Sequence, residues 1–360
     1  MKRIKKATQT TLAMALLTAT ASAHDEWSPA RPDGHAPIGV MADHYHKTGE
    51  LMLSYRYMFM SMDGNRSGED ELSFSQVAFS AGAGYPVVPL SMDMQMHMFG
   101  AMYALSDRIT LMGMLPYKVI SMDHMVSPTP PPPLAGIAGS PFTTESDGVG
   151  DLKLSSLIKL YNHERHSFHL NVGFSLPWGS ISETDVVPTP GVGFATGLMP
   201  YPMQLGSGTV DFLPGLTYLG QTEDWSWGAQ VMGTVRLGRN SKNYSLGDSI
   251  ESSTWIARRL NDTFSGSFRL KTSAWGNIDG ADPRLGTLPI PVGFGVPTAD
   301  PGLRSGSRVD ALLGANAYIR KGFLKGHRFA VEGGLPVYQY LRGPQLQTEW
   351  TLMVGWQYAF

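Results

Sequence analysis

The stretch EWTLMVGWQYAF (349–360) alternates regularly between large apolar side chains and small or polar ones. Successive side chains of an extended strand point to opposite faces, so this alternation predicts a strand with one apolar face. The apolar parity consists of Trp350, Leu352, Val354, Trp356, Tyr358 and Phe360, and the other parity of Glu349, Thr351, Met353, Gly355, Gln357 and Ala359. A soluble domain usually ends in a polar, frayed tail. We therefore expect the chain to finish inside a strand whose apolar face meets something other than water.

The composition points to the same environment. Charged residues make up only 16% of the 360 residues, while Gly and Pro number 41 and 25. This fraction of charged residues is low for the surface of a soluble protein, and the content of aromatic and β-branched residues argues against disorder. A membrane β-barrel accounts for both, because its outer face meets lipid and its backbone hydrogen bonds close around the ring. The alternative, a soluble β-sandwich, fits the low charge and the last strand poorly.

The first residues have the parts of an export signal. A basic start is followed by the apolar run Leu12 to Ala19 and by the small-residue cleavage site Ala21-Ser22-Ala23. We predict a signal peptide at 1–23, a periplasmic N-terminal segment at 24–49 and an outer-membrane β-barrel at 50–360. Removing the signal takes away four of the 28 Lys and Arg and leaves a formal charge of −6. This charge, with no basic patch, argues against nucleic acid as a partner.

Alternating stretches recur along the chain and predict an all-β fold, a transmembrane antiparallel β-barrel of about 12 strands. The predicted strands lie near 50–60, 94–105, 109–119, 150–161, 166–176, 208–220, 225–237, 249–260, 264–275, 308–320, 327–341 and 346–360. Short turns and long loops alternate between them, except for the brief connections near 238–247 and 342–345. We expect long extracellular loops and short periplasmic turns.

Two features break the regular pattern. In the stretch 249–260, Trp255 and Arg258 have the wrong parity for a lipid-facing row. Pro116, Pro214 and Pro336 lie within predicted strands, and proline removes a ladder hydrogen bond. Each proline therefore predicts a bulge or a strand end. Such a kink is one way to open a lateral exit from the lumen to the lipid.

Methionine is the most unevenly distributed residue, because 14 of the 20 Met lie between residues 41 and 125. Within the predicted strands they hold the parity opposite the apolar row, so we expect them to line one wall of the lumen. The predicted ligand-contact wall consists of Met52, Met58, Met60, Met98, Met102, Met112 and Met114, with Arg56, Lys118 and His97 to orient a polar end. Thioether side chains are flexible and polarizable, which suits contact with varied hydrophobic ligands.

The same residues allow an alternative interpretation as a soft-metal path. Thioethers suit Cu(I), and SMDMQMHM (91–98) offers several of them together with one imidazole. The candidate ligands are Met92, Met94, Met96, Met98 and His97, with His44 and His46 as a separate site near the periplasmic mouth. We expect no cofactor in the first interpretation and copper in the second.

Charged residues on the inward parity form a different wall. They are Asp151, Lys153, Lys159, Asp211, Arg236, Arg269, Lys271, Asp310, Arg320, Arg328 and Glu332. Mixed signs predict cross-strand ion pairs that close the interior more than they predict a selective ring of one charge.

Three stretches resemble a known group of bacterial outer-membrane proteins. They are SDGVGDLKLSSLIKLY (146–161), VGFSLPWGS (172–180) and GVMADHYHKTGELMLSYRYMFMSMDGNRSG (39–68). They look like the MetA-pathway phenol-degradation family, and the last one looks like a Met-rich branch of it. The resemblance implies a barrel transporter related to fatty-acid and aromatic-hydrocarbon channels.

We therefore predict an outer-membrane barrel that acts as a transporter or channel for a small hydrophobic or aromatic compound. The alternatives are a copper-handling barrel and a closed structural or adhesion barrel. We expect no enzyme, because no Gly-x-Ser-x-Gly elbow or His-Glu-x-x-His pattern occurs. The expected partners are outer-membrane lipid, the small hydrophobic ligand and the barrel-assembly machinery, whose recognition signal the aromatic terminus resembles.

Overall fold

The computed structural model describes residues 30–80, 84–285 and 294–360, and the predicted signal peptide lies outside them. The strands are β1 (Leu51–Gly68), β2 (Asp70–Leu72), β3 (Val87–Ser106), β4 (Ile109–Val126), β5 (Pro141–Val149), β6 (Leu152–His163), β7 (His166–Leu176), β8 (Thr184–Thr189), β9 (Gly193–Leu198), β10 (Asp211–Gln221), β11 (Trp225–Arg236), β12 (Tyr244–Ser245), β13 (Ser249–Arg259), β14 (Phe264–Trp275), β15 (Asp279–Gly280), β16 (Gly306–Tyr318) and β17 (His327–Ala359). The helical elements are α1 (Phe74–Val77) and the 3₁₀ segments Pro132–Ile137, Tyr201–Met203, Pro283–Leu285, Pro297–Ala299 and Pro301–Leu303. None of the helices in the described ranges is long and apolar enough to cross a membrane.

The antiparallel sheet closes on itself as a barrel. Eleven strands follow the order β17-β16-β14-β13-β11-β10-β7-β6-β4-β3-β1, and β17 then pairs with β1 to complete the ring. Outside the ring, β2 pairs with β1 and β5 pairs with β4. Strand β17 pairs with β16 through residues 328–341 and with β1 mainly through 345–359. It turns back between them, since the Gln339 side chain is hydrogen-bonded to the Thr348 backbone. When its two limbs are counted as separate strands, the ring has 12 strands, which agrees with the predicted number of about 12.

The outer surface of the barrel is apolar, as the alternation predicts. In the last strand Trp350 and Val354 are exposed, whereas Gln357 is buried inside. Elsewhere the exposed outer row includes Phe99, Leu111, Phe174, Val231, Phe268, Leu313 and Val331. A closed ring with an apolar exterior is the form in which a β-sheet spans a membrane.

Trp255 and Arg258, the two residues of unexpected parity, lie on the faces that the alternation of the strand gives them. Trp255 faces inward and is only 5% exposed. It packs with Ala36 and Val40 of the N-terminal segment, so its large apolar side chain has an interior partner. Arg258 lies on the outer face, where its guanidinium stands 5.3 Å from the ring centroid of Trp225.

A charge placed on the outer row should be costly. Leu313 lies at the middle of β16 and is 70% exposed on the outer face. We expect Leu313→Arg to lower the free energy of unfolding in lipid by ~2–4 kcal/mol, because the guanidinium meets hydrocarbon. Leu324→Arg, in the connection after β16, is the matched control and should change little. Reversible urea unfolding in lipid vesicles measures both, and equal effects would contradict a lipid-facing row.

The two ends of the barrel differ in their connections. At one end, here named the short-turn end, the connections are 107–108, 164–165, 222–224, 260–263 and 319–326. At the other end, the long-connection end, they are 69–86, 127–151, 177–210, 237–248 and 276–305, with the tight turn at 342–344. Both the start of β1 and the end of β17 lie at the short-turn end.

Residues 30–49 are named here the inner plug, of which 31–46 lie inside the barrel while Ala30 and 47–49 are exposed at its short-turn end. At the short-turn end, Arg31 donates to the carbonyl oxygen of Thr222 (2.7 Å) and the Thr48 amide to Asp107 (2.9 Å). Between these points the chain rises into the lumen, where the Gly39 amide donates to the Glu332 carboxylate (2.9 Å). The plug is therefore a loop with its apex near Gly39. We predicted a periplasmic segment at 24–49, and the described part of it occupies the lumen from the short-turn end.

Candidate functional site

The predicted methionines form rows across β1, β3 and β4. One row is Met52, Met102 and Met112, and another, nearer the long-connection end, is Met62, Met92 and Met122. Between these rows Met58 lies opposite Met96, and Met60 lies opposite Met94. Of the predicted contact wall, Met52, Met98, Met102 and Met114 are buried, and Met58, Met60 and Met112 are half-buried. The structure thus brings the predicted thioethers together on the inner face.

The two ends of this wall have different neighbours. Near the short-turn end, Met52 and Met102 pack against Ala42 of the inner plug and Leu157. Near the long-connection end, Met92 packs in a buried cluster closed by Met199 and Met203, which lie in and beside a 3₁₀ segment. Sequence reasoning missed these last two, because no strand periodicity marks their connection.

His97 does not join the thioethers. It shares the parity of Phe99 and faces outward, where its Nδ1 lies 2.8 Å from the hydroxyl of Tyr55. Its ring also lies 5.2 Å from that of Tyr57. The predicted metal set of Met92, Met94, Met96, Met98 and His97 is therefore split between two faces of β3, and His97 is not placed to orient a ligand in the lumen.

Arg56 and Lys118, the other predicted polar contacts, face the interior. Arg56 is 6% exposed and lies opposite Met98. In the described residues its Nε has no hydrogen-bond partner. Lys118 lies opposite Met96, and its Nζ donates to the carbonyl oxygen of Leu205 (2.7 Å). Lys118 therefore holds the connection that covers the methionine cluster.

The predicted cross-strand ion pairs on the opposite wall are confirmed. Arg269 donates twice to Glu332, from Nε to Oε1 (2.8 Å) and from Nη2 to Oε2 (2.9 Å), and both side chains are buried. The same wall holds the cross-strand pairs Arg236–Asp211 and Lys271–Glu251 and, within β16, the pair Arg308–Asp310. Arg269 and Glu332 lie beside the plug apex at Gly39, and the pairing of opposite charges on this wall agrees with the prediction from their mixed signs.

Among the cavities of the described residues, three larger than 200 Å³ lie along the interior. A cavity of about 250 Å³ at the long-connection end, named here the vestibule, is lined mainly by apolar side chains that include Val87, Leu134, Phe142, Val187 and Leu198. A second cavity of about 290 Å³, the lumen cavity, is lined by Met112, Met114, Met232, Lys153, Leu213 and Arg269 among others. A third of about 220 Å³ lies at the short-turn end beside His35, His44 and His46.

The vestibule carries the aromatic surface expected for an apolar ligand. His124, which lines it, stacks on Phe142 with ring centroids 4.7 Å apart and planes 7° from parallel. Phe194 meets Phe142 edge-on at 5.5 Å. Apolar, concave pockets with few polar groups are typical small-molecule sites.

The three prolines interrupt the wall as predicted. Pro116 marks the point where β4 changes partner from β6 to β5. Pro336 lies at a register shift between β16 and β17. Pro214 separates two paired stretches of β10 and β11, because pairing stops after Phe212 and resumes at Gly215. Leu213 and Gly233, on either side of this last gap, line the lumen cavity.

Comparison with known proteins identifies the fold. No family model and no curated protein matches this chain by sequence. Among solved structures, the COG4313 outer membrane channel from Pseudomonas putida F1 aligns over 90% of this chain and 100% of its own, with 13% identity and a TM-score of 0.54. A TodX monoaromatic hydrocarbon channel mutant (10% identity, 88% and 92% covered, TM-score 0.43) and a Pseudomonas aeruginosa FadL homologue (10%, 86% and 89%, 0.37) also match. At TM-scores under 0.5 these two likenesses carry no weight.

The protein is an outer-membrane β-barrel with the fold of an outer-membrane channel. Both conclusions agree with its closed ring and apolar exterior. At 13% identity the likeness concerns the fold alone, since one fold serves many functions. The finer resemblance to the MetA-pathway family and the absence of enzymatic activity stay predictions.

Proposed function

We propose that the protein is an outer-membrane channel for a small hydrophobic or aromatic compound, with the long-connection end facing outside the cell. The observation that carries this proposal is the vestibule, an apolar, aromatic cavity of about 250 Å³ at that end. It lies below the 300–1,000 Å³ typical of sites for drug-sized ligands, which favours a small one. Bacterial barrels place their long loops outside, and this supports the orientation.

The order of residues along β4 gives the proposed route. His124 lines the vestibule, Ile120 belongs to the methionine cluster, and Met114 lines the lumen cavity. These side chains share the inner face at steps of two residues, about 6.6 Å each. On this face a ligand that leaves the vestibule meets the thioethers of Met122 and Met114, with Ile120, Lys118 and Pro116 between them. Flexible thioethers adapt to the shape of a ligand.

The route ends at the inner plug, so we propose an exit through the wall. The pairing gap at Pro214 borders the lumen cavity through Leu213 and Gly233. Moving from this gap into the lipid lowers the free energy of a hydrophobic compound, because its apolar surface leaves water. A polar solute has no such driving force at the gap, and this difference supports hydrophobic cargo.

A charge in the vestibule tests the proposal. Val187 of β8 lines the vestibule, whereas Val192, at the tip of the same β8–β9 hairpin, is 69% exposed. We expect Val187→Asp to weaken naphthalene binding on the order of tenfold, about 1.4 kcal/mol, because the carboxylate brings water into the cavity. Val192→Asp is the matched control and should bind like the parent. Equilibrium binding of radiolabelled naphthalene to the detergent-solubilised barrel measures both, and unchanged binding in Val187→Asp would refute the vestibule as the ligand site.

The second candidate is a closed barrel with a structural or adhesive role. The plug favours it, since residues 30–49 contact inward-facing side chains of β4, β7, β11, β14 and β17. Removing the plug tests whether these contacts are what closes the lumen.

A further inference from the structure

Five ionisable side chains meet at the short-turn end of the inner plug. They are His35, Asp43, His44, His46 and Glu50. The ligand atoms of His35, Asp43 and His44 all lie within 4.8 Å of one another, and all three side chains are buried. The His44 ring lies edge-on to both other imidazoles, with centroids 4.3 Å from His35 and 4.8 Å from His46. Three imidazoles and two carboxylates are thus gathered within a span of sixteen residues.

Several imidazole nitrogens of this group are buried and make no hydrogen bond. In the described residues, His35 Nδ1, His44 Nε2 and His46 Nε2 have no hydrogen-bond partner. Burying an unpaired polar atom costs free energy, so such atoms call for a partner that the protein alone does not provide. The three rings also line the cavity of about 220 Å³ at the short-turn end, which gives an ion room to reach them.

The donor set suits a metal ion. Imidazole is the commonest metal ligand in proteins, and a carboxylate often completes a set of histidines.

We propose that His35, Asp43 and His44 bind one divalent transition-metal ion, with His46 available as a fourth ligand. Imidazole with carboxylate suits Zn²⁺, Ni²⁺ and Cu²⁺, whereas thioethers suit Cu(I). This site is therefore chemically distinct from the methionine wall. It also does not depend on the proposed channel function, because every ligand belongs to the plug and none lines the vestibule or the lumen cavity.

The surroundings hold the ligands in place. The Ala36 amide donates to Asp43 Oδ2 (3.0 Å), which orients the carboxylate and leaves Oδ1 beside His44 Nδ1 (3.0 Å). Glu50 lies 3.4 Å from His46 Nδ1, as an outer carboxylate does when it orients a metal-bound imidazole. Arg328 lines the same cavity, and its charge opposes a cation. The carboxylates of Asp43 and Glu50 offset the charge of Arg328. The Arg328 guanidinium donates to the Ala36 carbonyl oxygen and to the side chains of Asn316 and Gln357.

Copper(II) spectroscopy on the full barrel tests the site. The protein is purified without a polyhistidine tag, stripped with a chelator, loaded with one equivalent of Cu²⁺ and desalted. We expect one retained Cu²⁺ whose electron paramagnetic resonance spectrum shows coupling to imidazole nitrogens. In His44→Ala we expect affinity to fall by at least roughly a hundredfold, because losing a direct ligand costs no less than losing an outer partner. The spectrum should show one coupled nitrogen fewer. His163→Ala, an exposed imidazole at the same end, is the matched control and should behave like the parent.

Asp43→Asn controls for a folding defect in His44→Ala. Its side-chain amide oxygen still accepts from the Ala36 amide, while the negative charge is lost. We expect weaker Cu²⁺ binding with unchanged nitrogen coupling and an unchanged folded band on unheated gels. Failure of the parent protein to retain Cu²⁺, or retention that survives both substitutions, would overturn the proposal. Naphthalene binding should be the same in all three variants, so failure here is distinguishable from failure of the channel.

Discussion

Removal of residues 30–46 should turn a barrel of near-zero conductance into one with a large, steady conductance. The inner plug fills the short-turn half of the lumen, and its backbone is hydrogen-bonded to the wall through His46, Gly39 and Met41. Since the barrel strands pair with each other and not with the plug, the ring itself stays closed without it. Single-channel recording in planar bilayers with a small salt measures the change.

A point substitution provides the matched test of the same expectation. A Cβ at Gly39 would clash with Arg269 Nη2 and Glu332 Oε2, so Gly39→Val must displace either this ion pair or the plug apex. Gly136→Val, where a Cβ meets nothing within 4 Å, is the control. We expect intermediate conductance in the first and parental conductance in the second. A deletion variant that still conducts nothing would show that the plug is not what closes the lumen, and would favour the closed structural barrel.

The alternation of the chain predicted the barrel because each face of a strand meets a single environment. The alternation assigns Trp350 and Gln357 of the last strand to opposite faces, and the structure exposes the first and buries the second. The limit of the argument is that parity gives a face and not its neighbours. Trp255 appeared misplaced only because its interior partners, Ala36 and Val40, lie outside any strand.

The plug and its proposed metal ligands are harder to predict from the sequence for a physical reason. The stretch HAPIGVMADHYH (35–46) has neither strand nor helix periodicity, and its hydrogen-bond partners are remote, as with Gly39 and Glu332, which are 293 residues apart. His44 and His46 were recognised by their spacing. His35 and Asp43 join them only through the bend of the plug, and spacing along the chain carries no sign of it.

Removing one partner of the buried pair Arg269–Glu332 should lower stability far more than breaking an exposed ion pair. Arg269→Ala removes the ion-pair partner of the buried Glu332 carboxylate and leaves it the hydrogen bond from the Gly39 amide. An uncompensated buried charge costs about 3–5 kcal/mol. We expect the free energy of unfolding to fall by this amount in Arg269→Ala, measured by tryptophan fluorescence during urea unfolding in lipid vesicles.

The double variant Arg269→Leu with Glu332→Leu separates the attraction of the pair from the cost of an unpaired charge. Replacing both partners by apolar groups of similar size is often neutral, so it should recover most of the stability lost in Arg269→Ala. Arg239→Ala, which breaks the exposed pair with Asp279, should leave stability unchanged within error. Glu332 also anchors the plug apex, so the double variant should conduct ions although it is stable. A double variant as unstable as Arg269→Ala would mean that the pair is needed for packing and not for charge balance.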